Sequence, residues 1–369
     1  MKKTPGYISK KLLPLSWLYG FVVFLRNKFF DWGVLKEKQY GVHVISVGNL
    51  TVGGTGKTPH IEYLINLLQN DYKLAVLSRG YKRKTKGFVL ATLSSTCKDI
   101  GDEPLQIKHK FPDIIVAVDE QRRRGIDKLL DMKDKPDIIL LDDAFQHRYV
   151  KPSFSILLTD FNRPMYEDRL LPAGCLREPL GNMERANVVI VTKTPKDIKP
   201  IDVRIIMHEL NIHPYQTLLF TTIEYGHLVS LFNKKDLFNK KELPLVNIMH
   251  KKVLLVTGVA SPDTILNELG RYTDSIELLA YPDHHNFTPD DINDIEKAYM
   301  KIGDEETIVI VTEKDAVRLL SRNDLSENLK NAMYYLPIEV AFITKEEESF
   351  FNKKINRHVR KNPRNIELH

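Results

Sequence analysis

Cysteine is scarce in this sequence, with only Cys97 and Cys175 among 369 residues. Their separation matches neither a CxxC redox motif nor the ligand spacing of a zinc site. So few thiols are typical of a reducing compartment, where both cysteines are expected to stay free. Internal repeats and low-complexity tracts are also lacking. Apolar residues make up 43% and charged residues 28% of the chain, which is ordinary for a globular protein with a substantial core.

The sequence also lacks an apolar run long enough to span a membrane. The stretch 12–25 carries no charge but has only 14 residues, fewer than the roughly 20 that a spanning helix requires. No small-x-small cleavage site follows it, so a secretory signal is not indicated. Lysines precede the stretch, and Arg26, Lys28 and several aromatic residues follow it. This pattern predicts a membrane-associated segment over residues 1–35 whose helix lies in the membrane interface; a core helix of a soluble domain is the alternative.

An excess of positive charge is present but small, with a formal net charge of +6 at pH 7. This balance suits phosphate ligands or an anionic membrane surface. It is too small to indicate a nucleic acid, so no nucleic-acid partner is expected.

Short apolar runs rich in β-branched residues alternate with helical stretches. Strands are predicted at 42–47, 73–78, 114–118, 138–141, 154–158 and 188–191, and helices at 57–69, 102–110 and 120–130. This alternation indicates βαβ units and a mostly parallel sheet, hence the α/β class. A charged stretch at 233–242 precedes further strands at 252–257 and 307–311. We therefore predict a first lobe over 36–230 and a second, smaller α/β lobe over 231–369.

The strongest local signal is the glycine-rich segment GNLTVGGTGKTP at 48–59, which follows a predicted strand and opens a predicted helix. Backbone N–H groups of such a loop face the phosphates of a nucleotide, and the helix N-terminus adds its positive dipole end. Lys57 would reach the β- and γ-phosphates, while the Thr58 hydroxyl would hold Mg²⁺. The residues predicted to bind ATP are Thr51, Val52, Gly53, Gly54, Thr55, Gly56, Lys57 and Thr58. Thr51 stands where the general pattern has its first glycine.

The strand predicted at 138–141 ends in two acids, Asp142 and Asp143. An acid at that position of a P-loop protein holds magnesium directly or through water. Thr58, Asp142 and Asp143 are therefore the predicted Mg²⁺ ligands, and ATP and Mg²⁺ the predicted cofactors. The fold prediction becomes a P-loop NTPase-like sheet flanked by helices.

Phosphoryl transfer also needs a group that orients or deprotonates the acceptor hydroxyl. The segment GDEP at 101–104 places Asp102 and Glu103 at a helix start, where helix capping is the simple alternative. The segment DHHNF at 283–287 places histidines beside a carboxylate, which suits a base relay or a metal ligand pair. Arg79 follows a predicted strand, so it would face the ligand crevice of the sheet as an anion contact.

Several motifs together resemble one family, the tetraacyldisaccharide 4'-kinases. They are GNLTVGGTGKTP at 48–59, LSRGY at 77–81, GDEP at 101–104, LDDAFQH at 141–147, LPAGCLREP at 171–179, YPDHHNF at 281–287 and VTEKDAV at 311–317. They occur in order over nearly the whole chain. The chain departs from the common family pattern at Ala144 and Cys175, and neither change removes a charged or hydroxyl group.

The resemblance implies a lipid kinase that transfers the γ-phosphate of ATP to the 4'-hydroxyl of tetraacyldisaccharide 1-phosphate, forming lipid IVA in lipid A biosynthesis. It also implies an N-terminal helix that docks on the cytoplasmic face of the inner membrane, as in a peripheral or monotopic protein. The expected partners are an anionic glycolipid and the membrane surface, and no protein partner is predicted.

Carried over by motif, the resemblance makes Asp102 the base and pairs it with a histidine of the DHH element, where His284 is favoured over His285. Lys57 and Asp142 complete the predicted catalytic set. The residues predicted to bind the lipid substrate are Asn49, Arg79, Gln146, His147, Arg177 and Glu178. A local ion pair is the alternative for the last two.

Three other classes of protein share some of these features. P-loop ATPases with a deviant loop that act at membranes carry a lysine where this chain has Val52. A soluble small-molecule kinase would need neither the apolar N-terminal stretch nor the LPAGxLREP motif. A non-catalytic nucleotide-binding protein would not need Lys57, Thr58 and Asp102. A membrane-associated P-loop ATPase that does not phosphorylate lipid is the principal alternative.

Overall fold

The chain folds into two units, which a computed structural model describes over residues 8–234, 240–259, 262–283, 285–303 and 307–361. The first unit comprises the chain up to Ile223 and the segment from Val340 onward, and the second comprises Glu224–Glu339. The boundary predicted near residue 230 thus falls within the second unit. The final part of the chain, predicted as part of the second lobe, belongs to the first unit.

Strands and helices alternate along the chain. The strands are β1 (His43–Asn49), β2 (Leu74–Ser78), β3 (Val89–Leu90), β4 (Ile115–Val118), β5 (Ile138–Asp142), β6 (Phe154–Asp160), β7 (Val188–Thr192), β8 (Thr217–Tyr225), β9 (Leu228–Lys234), β10 (Lys240–Leu243), β11 (Val253–Thr257), β12 (Ile276–Ala280), β13 (Ile308–Thr312), β14 (Met333–Leu336) and β15 (Ile338–Phe342). The helices are α1 (Leu13–Asp31), α2 (Lys57–Leu68), α3 (Cys97–Ile100), α4 (Asp102–Lys110), α5 (Arg122–Leu130), α6 (Pro200–Leu210), α7 (Asp263–Leu269), α8 (Pro289–Ile302), α9 (Glu313–Leu319), α10 (Glu327–Ala332) and α11 (Lys345–Val359).

The first unit is built on a sheet whose strand order, over the described residues, is β15-β8-β7-β6-β1-β5-β2-β4-β3. The strands beside β1, which are β5 and β6, run parallel to it, whereas β3 at the edge is antiparallel to β4. Every residue of β1, β2, β5 and β7 is buried, because helices cover a parallel sheet on both faces. The carboxyl ends of β1, β2, β5, β6 and β7 meet at one edge, where an α/β sheet binds its ligands.

The segment from Val340 completes the first unit. β15 lies at the edge of the sheet beside β8, and α11 buries Phe351 and Ile355. The Tyr63 hydroxyl of α2 donates to Asn352 Oδ1 of α11 at 2.9 Å. A single sequence does not indicate which sheet a strand near its C-terminal end joins. The place of β15 in the sheet of the first unit was therefore not predicted.

The second unit has its own sheet, with the order β10-β9-β14-β13-β11-β12 over the described residues. β11 runs parallel to β12 and β13. Leu254 and Val256 of β11 pack with Ile295 of α8 in one core, while Val253 and Leu255 belong to another. Both faces of the central strand β11 are therefore buried. The predicted fold class, α/β with a mostly parallel sheet flanked by helices, is confirmed.

The N-terminal helix α1 exposes an apolar surface. The exposed side chains are Leu15, Trp17, Leu18, Phe21, Val22, Phe24 and Leu25. Ser16, Val23, Asn27 and Phe30 are buried against the rest of the first unit. None of the helices in the described part of the chain is long and apolar enough to cross a membrane. This exposure does not fit a core helix, and the interfacial location of the segment stays a prediction.

Candidate active site

The predicted phosphate loop joins β1 to α2. β1 ends at Asn49, and α2 begins at Lys57 after the N-cap residue Gly56. A glycine N-cap has no side-chain oxygen, so the first N–H groups of the helix keep their capacity to bind an anion. The Asn49 side-chain amide donates to Thr55 Oγ1 at 2.8 Å, which ties the two ends of the loop together.

Two acids approach the phosphate loop from β5. Asp142 is buried at the end of this strand, and its Oδ2 accepts from Ser78 Oγ at 3.1 Å. Asp143 follows with a left-handed φ of +48°. Its Oδ1 lies 3.7 Å from Lys57 Nζ and 3.0 Å from Arg177 Nη1. The lysine of the loop, the acid pair and the arginine of the LREP segment therefore form one charge network.

The pKa values of Asp142 and Asp143 shift in opposite directions. Burial raises the pKa of Asp142, and the negative charges of Glu103 and Asp143 raise it further. Burial also acts to raise the pKa of Asp143, but the cations Lys57 and Arg177 outweigh it and hold that pKa below its ordinary value. The Asp142 site is thus short of positive charge, and a bound cation would offset the repulsion there.

The side chains around Asp142 suit Mg²⁺. Oδ1 of Asp142 is buried without a hydrogen-bond partner among the described residues, and such an oxygen costs free energy unless a ligand satisfies it. Mg²⁺ commonly takes one or two carboxylates together with phosphate oxygens and water. The described residues contain no cluster of three His, Cys, Asp or Glu side chains that would form a protein-only metal cage. Asp142 thus has an oxygen free for a nucleotide-bound Mg²⁺. Thr58, the second residue of α2, and Asp143, which is paired with Lys57 and Arg177, stay predicted ligands.

Gln146 connects the loop after β5 to the phosphate loop. Its Nε2 donates to the carbonyl oxygen of Asn49 at 2.8 Å. Its Oε1 accepts from Arg177 Nη1 at 3.3 Å. Gln146 is thus held between β1 and the LREP segment, which places three predicted substrate residues in direct contact.

His147 lies in a positive electrostatic field. It is half-buried, and burial together with the charges of Arg122, Arg79 and Arg26 lowers its pKa to about 4. Its imidazole is therefore neutral near pH 7. Arg122 is itself buried and donates from Nη2 to the carbonyl oxygen of Asp142 at 3.2 Å. The field suits an anionic group of a ligand.

Asp102 is positioned by the glycine before it. It is the first residue of α4, and Gly101 is the N-cap. Gly101 has a φ of +90°, and a Cβ there would lie 2.9 Å from the carbonyl oxygen of Tyr81, so only glycine fits. Asp102 is half-buried. The next residue, Glu103, acts electrostatically on Asp142, which places the start of α4 near the acid pair.

Arg177 and Glu178 have different partners. Arg177 contacts Asp143 and Gln146, as described above. Glu178 is buried and pairs with Arg185, and its Oε2 accepts from Asn182 Nδ2 at 3.0 Å. These contacts anchor the LREP segment and leave the guanidinium of Arg177 on the side of the phosphate loop.

The helix α1 contacts two of the segments that carry predicted substrate residues, those of Gln146 and of Arg177 and Glu178. The Tyr19 hydroxyl donates to the carbonyl oxygen of Arg177 at 2.8 Å. Arg26 Nη2 donates to the carbonyl oxygen of Gln146 at 2.8 Å, and Arg26 Nη1 lies 3.7 Å from Glu178 Oε1. No local sequence pattern marks these contacts, because they join residues that lie far apart in the chain.

The second unit contains the DHH segment. His285 Nε2 lies 2.8 Å from Asp291 Oδ2, and its ring stacks on that of Tyr281 with a centroid distance of 4.8 Å. One ring nitrogen of His285 is therefore engaged within its own unit. His284, the favoured partner of Asp102, lies outside the described residues.

The family model described as "Tetraacyldisaccharide-1-P 4'-kinase" (LpxK) matches residues 8–359 of the chain. The chain belongs to this family. The "Tetraacyldisaccharide 4'-kinase" of Phocaeicola vulgatus is 53% identical over 360 residues, covering 97% of each chain. The Bacteroides fragilis protein with the same description is 51% identical over 369 residues, covering 100% of this chain and 98% of the relative. These matches confirm the family that the motifs indicate.

A solved structure described as an "apo" form of LpxK from Aquifex aeolicus in complex with ATP is also similar. It has a TM-score of 0.73 and 30% sequence identity, and covers 95% of this chain and 98% of that one. The fold of the tetraacyldisaccharide 4'-kinase family is therefore present along nearly the whole chain.

Within this member of the family, direct contacts join seven of the predicted site residues: Asn49, Gly53, Thr55, Lys57, Asp143, Gln146 and Arg177. Electrostatic effects place Arg79 and His147 near Arg122, and Glu103 near Asp142. Sequence patterns did not mark Arg26 or Tyr19 as site residues. Arg122 is the first of three consecutive arginines at 122–124, a pattern typical of a solvated face, and it is the buried one of the three. Burial of an arginine inside such a run leaves no signal in a single sequence.

Proposed function

We propose that the protein transfers the γ-phosphate of ATP to the 4'-hydroxyl of tetraacyldisaccharide 1-phosphate. The observation that carries this proposal is the network of Lys57, Asp143 and Arg177, in which the phosphate loop, the acid pair and the LREP segment meet at one edge of the sheet. In the reaction, the 4'-oxygen forms a bond to the γ-phosphorus while the bond to the β–γ bridging oxygen breaks. ADP and the 4'-phosphorylated lipid leave, and the hydroxyl proton passes to a base.

The nucleotide side of the reaction belongs to the phosphate loop. Its backbone N–H groups and the N-terminus of α2 would bind the phosphates, and Lys57, which is paired with Asp143, would neutralise charge on the transferred group. Thr58 and Asp142 would hold Mg²⁺, which when bound neutralises part of the phosphate charge. The unpaired Oδ1 of Asp142 supports this assignment.

On the side of the lipid, we assign Asp102 as the base that takes the proton from the 4'-hydroxyl. Its place at the start of α4, near Asp142, supports the role, because a base must lie close to the transferred phosphoryl group. The pairing of Asp102 with His284 is part of the proposal through the family motif. His285, engaged by Asp291, is the less suitable histidine.

The substrate carries an anionic 1-phosphate and sugar hydroxyls. Arg79, His147 and Arg177 provide cations or neutral donors for the anion, in the positive field that Arg122 reinforces. Gln146 would offer its amide to the sugar, whereas Asn49 is buried and would act by holding Thr55 of the phosphate loop. Glu178 would act by holding Arg185 and Arg26 beside these residues.

The lipid substrate requires access to a membrane, and α1 supports that access. Its exposed apolar side chains suit the acyl boundary of a bilayer, and Lys10 and Lys11 before it suit anionic headgroups. We propose that the protein docks through α1 on the cytoplasmic face of the inner membrane, where ATP is available.

A transfer assay tests the proposal. Purified protein is mixed with Mg²⁺, γ-labelled ATP and tetraacyldisaccharide 1-phosphate in detergent micelles. We expect label at the 4' position, reduced by about two orders of magnitude or more in Asp102→Ala and Lys57→Ala. The exposed residues Asp113 and Lys98 provide matched controls as Asp113→Ala and Lys98→Ala.

The same assay separates the alternatives. Release of labelled phosphate without labelled lipid would identify an ATPase and reject the lipid-kinase proposal. A comparison of His284→Ala with His285→Ala tests the dyad, since only the former is expected to reduce kcat to the level of Asp102→Ala. Equal activity of the two histidine variants would contradict that pairing.

A further inference from the structure

Side chains from the carboxyl ends of β6 and β7 hold the phosphate loop on one side. Arg163, in the segment after β6, donates from Nη2 to the carbonyl oxygen of Val52 at 2.6 Å. Lys193, directly after β7, donates from Nζ to the carbonyl oxygen of Gly54 at 2.7 Å. No motif described above includes either residue.

Thr192 makes a third contact of the same kind. It is the last residue of β7 and is buried, and its Oγ1 donates to the carbonyl oxygen of Thr55 at 3.0 Å. Three carbonyl groups of the loop are therefore fixed by side chains from two neighbouring strands. We call Arg163, Thr192 and Lys193 the loop braces.

The geometry of Lys193 indicates a positioning role. Its backbone has a left-handed φ of +56°, which is uncommon for a residue other than glycine. Its ammonium also lies 2.7 Å from Asp160 Oδ2, so the charge is already paired within the protein. Strained backbone of this kind clusters at functional sites, where it fixes the direction of a side chain. Here it directs the Lys193 side chain to the carbonyl oxygen of Gly54.

Fixing a carbonyl group also fixes the N–H group of the next residue. A trans peptide is planar, so its C=O and N–H point in opposite directions. With the carbonyl oxygens of Val52 and Thr55 held on the side of the braces, the N–H groups of Gly53 and Gly56 face the other way. Those N–H groups belong to the residues that bind phosphates in a P-loop.

A glycine-rich loop would otherwise sample many peptide orientations, and that freedom would oppose nucleotide binding. Arg163 also closes the space beside the loop. Gly53 has a φ of +114°, and a Cβ there would lie 2.7 Å from Arg163 Nη2. The guanidinium therefore packs directly against the loop backbone.

We propose that Arg163, Thr192 and Lys193 are positioning residues that preset the phosphate loop for ATP. The inference rests on the proposed use of ATP by this loop and adds residues that the proposed function does not include. The braces hold the loop equally in the ground state and the transition state. Their loss should therefore weaken ATP binding and leave the chemical step largely unchanged.

The experiment compares Arg163→Met and Lys193→Met with the matched control Arg204→Met, an exposed arginine on α6. We measure the Kd for ATP by calorimetry, the KM for each substrate, kcat, and the Tm without nucleotide. Each brace variant should raise the Kd and KM for ATP about tenfold, the effect of losing one charge-assisted hydrogen bond. The kcat, the KM for lipid and the Tm should match those of Arg204→Met. Lys193→Arg, which keeps a donor, should restore most of the ATP affinity.

Several results would overturn the inference. An unchanged Kd for ATP in both methionine variants would show that the braces do not preset the loop. A large loss of kcat at constant KM for ATP would indicate instead that these side chains contact the reacting phosphate. A lowered Tm in proportion to the lost affinity would indicate general destabilisation. A wild-type protein that binds ATP without labelling the lipid would contradict the proposed function, while the Kd comparison would still test the braces.

Discussion

At the scale of single residues, Asp142 and Asp143 show how adjacent acids acquire different properties. Asp142 is buried with one unpaired oxygen, and burial and Glu103 raise its pKa. Asp143 is half-buried, and Lys57 and Arg177 lower its pKa. A carboxylate that is buried and short of partners reduces the free energy of unfolding. A residue that lowers stability in this way is expected where it binds a ligand, because functional sites often reduce the stability of the fold.

The substitution Asp142→Asn should stabilise the protein at alkaline pH and abolish transfer. Because the folded-state pKa of Asp142 is raised, its ionisation reduces stability as the pH rises from the unfolded-state pKa of about 3.9 through the folded value. The substitution should raise the Tm by about 2–4 °C at pH 8 and by less at pH 5. Thermal melts at both pH values check this expectation, and an equal change at both would contradict it.

Asp143→Asn should have the opposite effect on stability. The folded-state pKa of Asp143 is lowered, so its charge contributes stability above the unfolded-state pKa, and that contribution is lost as the pH falls through the folded value. The Tm should therefore fall at pH 8 and change little near pH 3. Thermal melts across this range are the measurement, and a Tm that rises at pH 8 would show that Lys57 and Arg177 do not stabilise the carboxylate.

Arg177 should not tolerate replacement by lysine. Its Nη1 contacts both carboxylate oxygens of Asp143, at 3.0 and 3.1 Å, and Gln146 Oε1 at 3.3 Å. A lysine keeps the charge but lacks the planar fork that spans these acceptors. We expect kcat/KM for the lipid to fall by about 10- to 100-fold. Arg123→Lys, at an exposed position, is the control, and equal activity of the two variants would count against the network.

At the scale of elements, part of the strand set follows from the sequence. β1, β2, β4, β5, β6, β7, β11 and β13 were predicted, because these strands are largely buried and leave continuous apolar runs. The strands β3, β8, β9, β10, β12, β14 and β15 were not predicted. The phosphate loop and the acid pair follow too, since their local context is diagnostic. What the sequence does not contain is long-range pairing. Arg26 meets Gln146, 120 residues away, and β15 joins the first sheet beside β8. Nothing local to either residue or strand encodes those partners.

The contact of α1 with the site leads to a kinetic prediction. Arg26→Met removes the donor to the carbonyl oxygen of Gln146 and should loosen the loop that carries Gln146 and His147. In detergent micelles, where docking on a bilayer plays no part, kcat/KM for the lipid should fall about tenfold. The Kd for ATP should stay constant. Lys28→Met, two residues further along the same helix, is the control, and unchanged lipid kinetics in Arg26→Met would show that α1 serves only as an anchor.

At the scale of the whole molecule, the exposed face of α1 is a membrane-docking candidate. Trp17 is 73% exposed and Phe21 is 61% exposed, although moving either side chain out of water would lower the free energy. The helix is tied to the first unit through Ser16, whose Oγ donates to the carbonyl oxygen of Leu170 at 2.9 Å. A docked helix would therefore hold the first unit at the bilayer surface.

Replacing Trp17 and Phe21 together by serine should reduce binding to vesicles that contain anionic lipid at least about tenfold. The matched control replaces Met300 and Phe350, two exposed apolar side chains outside α1, by serine. Co-sedimentation with the vesicles is the measurement. Similar losses in both double variants would indicate nonspecific adhesion of apolar surface.

The return of the chain to its first sheet has a consequence for biosynthesis. The second unit begins and ends at neighbouring points, since Gly226 N donates to the carbonyl oxygen of Pro337 at 3.0 Å. It is thus an insertion between β8 and β15, which are neighbours in the first sheet. During synthesis on the ribosome, the edge strand β15 and the helix α11 can complete the sheet of the first unit only after the whole insertion has emerged. The same geometry makes the insertion separable in design, because a short linker could join residues 225 and 338 and leave the sheet of the first unit continuous.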